Sequence, residues 1–282
     1  MELQAEIIKL IQSISSPVLD LFFIFVTNLG SEGFYFLLIP VFYWSIDKKT
    51  GIKISSALLL SIYINAAFKE ITAISRPIGY PGIRSLYTSS AGGYSFPSGH
   101  AQGSATVWGI IMNRYRKTSV YILGTAIIIL VSLSRLYLGV HWPVDVIAGI
   151  ILGLLIVLVV LGCGKLSLPP DNLLTFAAAV GVPAILLALF PRPPVFKYMG
   201  MLSASWLGFL IEEKFIGYEP KKSNALKAVV KYSTGAAGFL LIYMGLKEIL
   251  PDGNTASAAR YFFSGLWLTA GAPYLFKKFF GT

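Results

Sequence analysis

Residues 144–163 read VDVIAGIILGLLIVLVVLGC, twenty positions with one charged side chain, Asp145, at the second. Wound as an α-helix at about 1.5 Å per residue, such a run is about 30 Å long, the thickness of a bilayer's hydrocarbon core. A second run, 122–133 (ILGTAIIILVSL), carries no charge. Comparable stretches recur along all 282 residues, of which 55% are hydrophobic and 13% charged, with a mean hydropathy of +0.71. A soluble domain holds about 25% charged residues. The sequence therefore predicts an all-α, polytopic transmembrane helical bundle.

Glycines, prolines and charge clusters divide the chain into about ten apolar segments. The first covers Ile7 to Leu29, with an amphipathic start, and the second covers Phe34 to Ile46 around Pro40. The third, Ile52 to Phe68, runs into Lys69. The fourth opens at His100 and ends near Met112, too short to cross alone. Val120 to Leu133 and Val144 to Cys163 follow. Beyond Pro169 and Pro170 lie Leu173 to Phe190, Phe196 to Ile211, Ala225 to Leu246 and Ala258 to Phe276. The formal charge of +10 is read as topology and not as nucleic-acid binding, because basic residues collect on cytoplasmic loops. With the N-terminus inside, Lys48, Lys49, Arg114, Arg116, Lys117, Lys165, Lys221, Lys222, Lys277 and Lys278 fall on inside loops. The polar stretch Thr72 to Gly99 and the loop at His141 then face outside. The N-terminus shows no removable signal peptide, and the one cysteine, Cys163, excludes an intrachain disulfide.

The chain's two histidines fall in polar clusters at segment ends. Lys69 is followed after six residues by Arg76-Pro77; Pro97-Ser98-Gly99-His100 opens the fourth segment; Ser134-Arg135 precedes His141 and Asp145. Ionisable residues at membrane depth mark functional sites by default. Lys69, Arg76 and Arg135 repel one another unless an anion joins them, and arginine's planar fork fits phosphate oxygens in pairs. Ser98, Gly99 and His100 add a helix N-terminus, whose open N–H groups and dipole favour an anion. Together these residues suit a tetrahedral oxyanion. Asp145 beside His141 suits an activated nucleophile, one ring nitrogen held and the other left to attack. His100 suits a general acid and base. Zinc is the rival for two histidines and a carboxylate, but three cations oppose a dication. Tyr80, Phe96 and Trp142 are candidates for a substrate entrance or for an interfacial aromatic belt, and Tyr87 shares that choice. Arg84 reads as a surface residue. Gly235-Ala236-Ala237-Gly238 and Gly265 to Gly271 suit close helix packing, within one chain or in a homodimer.

Lys-x6-Arg-Pro, Pro-Ser-Gly-His and Ser-Arg-x5-His-x3-Asp, in that order, resemble the signature of the type 2 phosphatidic acid phosphatase superfamily. That family includes phosphatidylglycerophosphate and undecaprenyl pyrophosphate phosphatases, lipid phosphate phosphatases, glucose-6-phosphatase and vanadium haloperoxidases. The resemblance covers roughly residues 15 to 163. It implies a six-helix phosphatase core, taken as 1–165; the apolar segments beyond it add about four further helices in 166–282, a departure from the six-helix bacterial enzymes. The resemblance also implies hydrolysis without metal or other cofactor, through a phosphohistidine on His141 oriented by Asp145. His100 would be the general acid, and Lys69, Arg76, Ser98, Gly99 and Arg135 would hold the phosphate. The expected partners are the bilayer and a membrane lipid substrate, with the site at the extracytoplasmic face of a plasma membrane. The extra helices leave a soluble sugar phosphate open as substrate, by hydrolysis or transfer. They leave open also a non-catalytic transporter or lipid-binding protein on the same fold.

Overall fold

Whether an apolar run becomes one helix or two depends on the breakers inside it. The computed structural model describes residues 1–163, 172–220 and 224–280. The boundary expected between 165 and 166, Lys165, Pro169, Pro170, Lys221 and Lys222 lie outside them. The segment expected to run from Ile7 to Leu29 is two helices, Glu2–Gln12 (α1) and Pro17–Asn28 (α2), bent by 115°. Pro17 cannot donate back to α1 but suits the first position of a new helix. Ser16 caps that helix by accepting from the Leu19 amide at 3.3 Å. Next come Glu32–Val41 (α3), which passes into a π-helical turn at Phe42–Ile46, and Lys48–Thr72 (α4). Then follow Gly99–Tyr115 (α5), Thr118–Tyr137 (α6) and Pro143–Cys163 (α7). Leu173–Leu189 (α8), Pro193–Ile211 (α9), Ala225–Ile249 (α10), Asn254–Leu266 (α11) and Ala272–Phe280 (α12) complete the chain. Among the described residues no strand forms.

Among the described residues four helices, α4, α6, α7 and α10, are long and apolar enough to cross a bilayer, five spans if α1 and α2 count as one. Glu32–Ile46 and α8 are apolar but shorter. The chain is a multi-pass membrane protein with fewer full-length spans than its about ten apolar segments suggested, because prolines and π-helical turns interrupt several of them.

Contacts group the chain into two units, Met1–Leu37 with Leu60–Leu161, and Leu38–Leu59 with Gly162–Thr282. In the first, α1 turns Ala5, Ile8 and Ile11 toward the loops that carry the polar motifs. Ala5 and Ile8 pack with Ile83 and Trp142, and Ile11 with Leu136, Tyr137 and Val140. Gln12 fastens this arrangement, donating to the carbonyls of Arg84 (2.7 Å) and Tyr137 (2.8 Å) and accepting from the Arg84 amide (3.0 Å). Glycines let α5 and α7 approach closely. A Cβ at Gly149 would lie 2.6 Å from the Ser98 carbonyl oxygen, and one at Gly153 2.5 Å from that of Gln102.

The second unit is built on aromatic side chains around three π-helical turns, Phe42–Ile46, Glu212–Ile216 and Trp267–Gly271. A π-helical turn releases carbonyls from the regular ladder, and these find side-chain donors. Trp44 Nε1 donates to Leu268 O (2.8 Å), Tyr43 Oη to Thr269 O (2.9 Å), and Lys231 Nζ to Trp44 O (2.9 Å). Lys48 pairs with the fully buried Glu212 at 2.9 Å and with Glu213 at 2.7 Å. The small-residue motif packs within this unit: a Cβ at Gly235 would strike the Trp44 ring at 2.2 Å, and one at Gly238 the Trp267 ring at 2.1 Å.

Candidate active site

The end of α6 aims His141. Helix α6 stops at Leu138, and Gly139 takes a left-handed φ of +65°. Its amide donates to Leu136 O at 2.9 Å, the usual way to close a helix C-terminus. A Cβ there would sit 2.3 Å from Arg84 O, so glycine is required twice over. Two residues later His141 is 2% exposed, just ahead of α7. Asp145, in the first turn of α7, reaches back to the Trp142 amide (Oδ2 at 2.8 Å), half of a capping box. The same oxygen lies 3.3 Å from His141 Nδ1. The Asp145 carbonyl accepts from the Ser98 amide at 2.9 Å, tying the start of α5 to the start of α7.

Arg76 contacts the other ring nitrogen, its Nη1 being 2.8 Å from His141 Nε2. A guanidinium only donates, so Nε2 carries the lone pair and Nδ1 the proton that faces Asp145. Arg76 donates also to the carbonyls of Val140 (2.8 Å), Gly92 (2.8 Å), Gly93 (2.9 Å) and Tyr94 (3.1 Å). Lys69 Nζ donates to Tyr94 O at 2.5 Å. Carbonyl oxygens of residues 92–94 thus occupy donors of the kind that bind phosphate oxygens. Arg135, 0% exposed, donates to Thr27 Oγ1 (2.7 Å), Ser90 Oγ (3.0 Å) and Ser90 O (3.2 Å); its Nε makes no hydrogen bond among the described residues. The buried hydroxyl of Ser98 makes none either, and it caps α5 without a side-chain bond.

The motif residues act on one another electrically. Burial first, then the charges of Arg135, Arg76, Lys69 and His100, push His141 well below the ordinary histidine value of 6.5. Burial lowers Arg76 to about 10, against the pull of the Asp145 carboxylate, so it remains a cation at neutral pH. The three sequence clusters therefore meet in space. A cleft of about 480 Å³ adjoins them, lined by Glu70, Ser75, Arg76, Ile78, Ala91, Gly93 and Tyr94.

Among the residues expected at an entrance, Tyr80 and Phe96 are half-buried. Trp142 is 2% exposed, donates from Nε1 to Ser75 O (2.9 Å) and stands edge-on to the Tyr80 ring, which makes it packing beneath the loop. Tyr87 donates to Asn28 Oδ1 at 3.3 Å. Arg84, read from the sequence as a surface residue, forms a forked pair with Asp20 (2.7 and 2.8 Å), and Tyr137 Oη joins it at 2.6 Å. Ser95, Ser90 and Thr27 were not singled out from the sequence, although all three touch motif residues. Serine and threonine are too common for position alone to mark them. Among the described residues, no group of three or more His, Cys, Asp or Glu side chains is gathered closely enough to hold a metal ion.

A family model described as "PAP2 superfamily" matches residues 50–167, and one described as "PAP2 superfamily phosphatase, transmembrane extension" matches 196–281. An undecaprenyl-diphosphatase of Sulfolobus acidocaldarius is 33% identical over 52% of this chain and 72% of its own length. The chain belongs to the PAP2 superfamily. Sphingosine-1-phosphate phosphatase 1 of Rattus norvegicus, another similar protein, is also 33% identical, over 52% of this chain; the match spans 35% of that longer protein. The crystal structure of a transmembrane PAP2-type phosphatidylglycerolphosphate phosphatase from Bacillus subtilis is similar in fold and sequence. It has a TM-score of 0.50 and 28% identity, covering 58% of this chain and 85% of that one. The PAP2 matches thus take in the motif-bearing part and, from residue 196 on, the helices α9 to α12.

Proposed function

We propose that this chain is a membrane phosphatase hydrolysing a lipid phosphate monoester or pyrophosphate through a phosphohistidine on His141. The observation that carries the reading is the bracketing of one imidazole, Asp145 at Nδ1 and Arg76 at Nε2. This polarises the ring so that the lone pair lies on the side of the cationic donors. In the proposed reaction the substrate phosphoryl group displaces Arg76 from Nε2 and takes donors from Arg76, Lys69, Arg135, Ser98 and the first amides of α5. Nε2 then bonds to phosphorus as the bond to the leaving oxygen breaks, and His100 gives that oxygen a proton. Asp145 stabilises the positive charge on the ring. His100 next takes a proton from water, whose oxygen displaces the histidine and frees phosphate. The division into a core over 1–165 and an extension over 166–282 belongs to the same proposal.

Lipid substrates are supported by the relatives, whose names specify sphingosine 1-phosphate, undecaprenyl diphosphate and phosphatidylglycerophosphate. The basic loops support a site open to the extracytoplasmic face, and the membrane proposed is the plasma membrane. A phosphate-release assay tests both parts with short-chain phosphatidic acid, sphingosine 1-phosphate and a short-chain isoprenyl pyrophosphate, with EDTA present, on purified protein and on intact expressing cells. Release should fall on the order of 10³-fold or more in His141→Ala. Unchanged release in that variant sinks the mechanism; release from purified protein but not from intact cells reverses the orientation.

A further inference from the structure

Ser95 is fully buried beside the two residues that form the nucleophile. Its Oγ lies 2.5 Å from Asp145 Oδ2 and 3.4 Å from His141 Nδ1. Its amide donates to Ile74 O at 2.8 Å, which fixes where the side chain starts. A hydroxyl has one proton to give. Nδ1 already carries a proton, because Nε2 accepts from Arg76, so the Ser95 proton goes to Asp145 Oδ2. That oxygen thereby receives three donors, Ser95 Oγ, the Trp142 amide and His141 Nδ1, while Oδ1 makes no hydrogen bond among the described residues.

We infer that Ser95 is a positioning residue for the proposed phosphatase reaction, its hydroxyl holding the Asp145 carboxylate in the rotamer that keeps His141 Nε2 turned toward the phosphoryl group. The inference rests on the reading of His141 as nucleophile. Three donors on one oxygen leave the carboxylate a single orientation. They also draw density from it, so Asp145 orients Nδ1–H without pulling the ring into its protonated, non-nucleophilic form. Ser95 directly follows the carbonyls of Gly92, Gly93 and Tyr94 that engage Arg76 and Lys69. One short segment therefore touches both the phosphate donors and the carboxylate behind the nucleophile.

The consequence has a sign. Without the Ser95 donor Asp145 is more basic, the His141 imidazolium is better stabilised, and the acid limb of kcat/KM moves to higher pH. A role in packing alone lowers the amount of folded protein and leaves that limb in place. The test uses the full chain in detergent, with short-chain phosphatidic acid and sphingosine 1-phosphate as probes and thermal melts to verify folding. Ser95→Ala should lose about 10- to 100-fold in kcat, the effect of one charge-assisted hydrogen bond, with KM changed less than about threefold. Ser95→Thr should restore the wild-type limb. In an Asp145→Asn background Ser95→Ala should add no further loss. Wild-type kcat and limb in Ser95→Ala, a loss confined to KM, or a loss that multiplies with Asp145→Asn overturns the inference. Should Ser95→Ala not fold, Ser95→Cys, similar in size and a weak donor, carries the same readings. A wild type silent on both probes, or an active His141→Ala, overturns the underlying reading; an inactive His141→Ala beside an unaffected Ser95→Ala removes the Ser95 role alone.

Discussion

His141 is buried between two neighbours of opposite charge, Asp145 at Nδ1 and Arg76 at Nε2. Burial, and after it the charges of Arg135, Arg76, Lys69 and His100, hold it well below 6.5. As the proposed nucleophile His141 must be neutral, so kcat/KM should stay level as pH falls through 6.5 and drop only well below it. The profile that checks this has the phosphate's own ionisation divided out; a limb at 6.5 contradicts the arrangement. The same shift bears on stability. An unfolded chain takes up this proton near 6.5 and the folded chain resists it, so the contribution is full above 6.5 and lost as pH falls toward the folded value. Thermal melts between about pH 8 and pH 5 should decline for the wild type and decline less for His141→Gln.

At the scale of elements, the site depends on two helices whose first turns must meet. The Ser98 amide donates to the Asp145 carbonyl, and Gly149 and Gly153 keep the facing surface of α7 bare. Gly149→Val would drive a side chain into the Ser98 carbonyl. The expected cost is about 1–3 kcal/mol from overpacking, read as a lowered melting temperature, with activity falling further than the folded fraction because Asp145 and Ser98 shift together. Activity that follows the folded fraction alone would show that the two helix starts are not coupled. The need for glycine was visible only as a pattern: Gly149 and Gly153 are four residues apart, but the sequence did not mark α5 as the surface they meet.

For the whole molecule, stability is spread over two units that use different chemistry. The second contains Glu212, fully buried against Lys48. Lys48→Met would strand that carboxylate, a loss of about 3–5 kcal/mol, whereas Lys48→Met with Glu212→Leu should recover much of it. Melts of the single and double variants in detergent check this; equal losses would show that the cation is not what holds the carboxylate. Glu212 lies in the helices after residue 172 and Lys48 opens α4, so part of the chain's stability is expected to depend on the helices that follow the motif-bearing part.

The sequence by itself determined that this protein is a helical membrane protein and where its polar motifs lie, because apolar length and residue order need no partner to be read. The motifs that hold Lys69, Arg76, Ser98, Gly99, His100, Arg135, His141 and Asp145 could be picked out for the same reason, and the roles proposed for them rest on that pattern. Tertiary structure alone decided the break at Pro17 that folds α1 beneath the motif loops, which an apolar count reads straight through. It decided the pairing of Arg84 with Asp20, sixty-four residues apart, and the packing of Gly235 and Gly238 against tryptophan rings. Above all it decided the neighbours of the site, Thr27, Ser90 and Ser95. A hydroxyl becomes informative only through the atom it faces, and which atom that is depends on how distant segments meet.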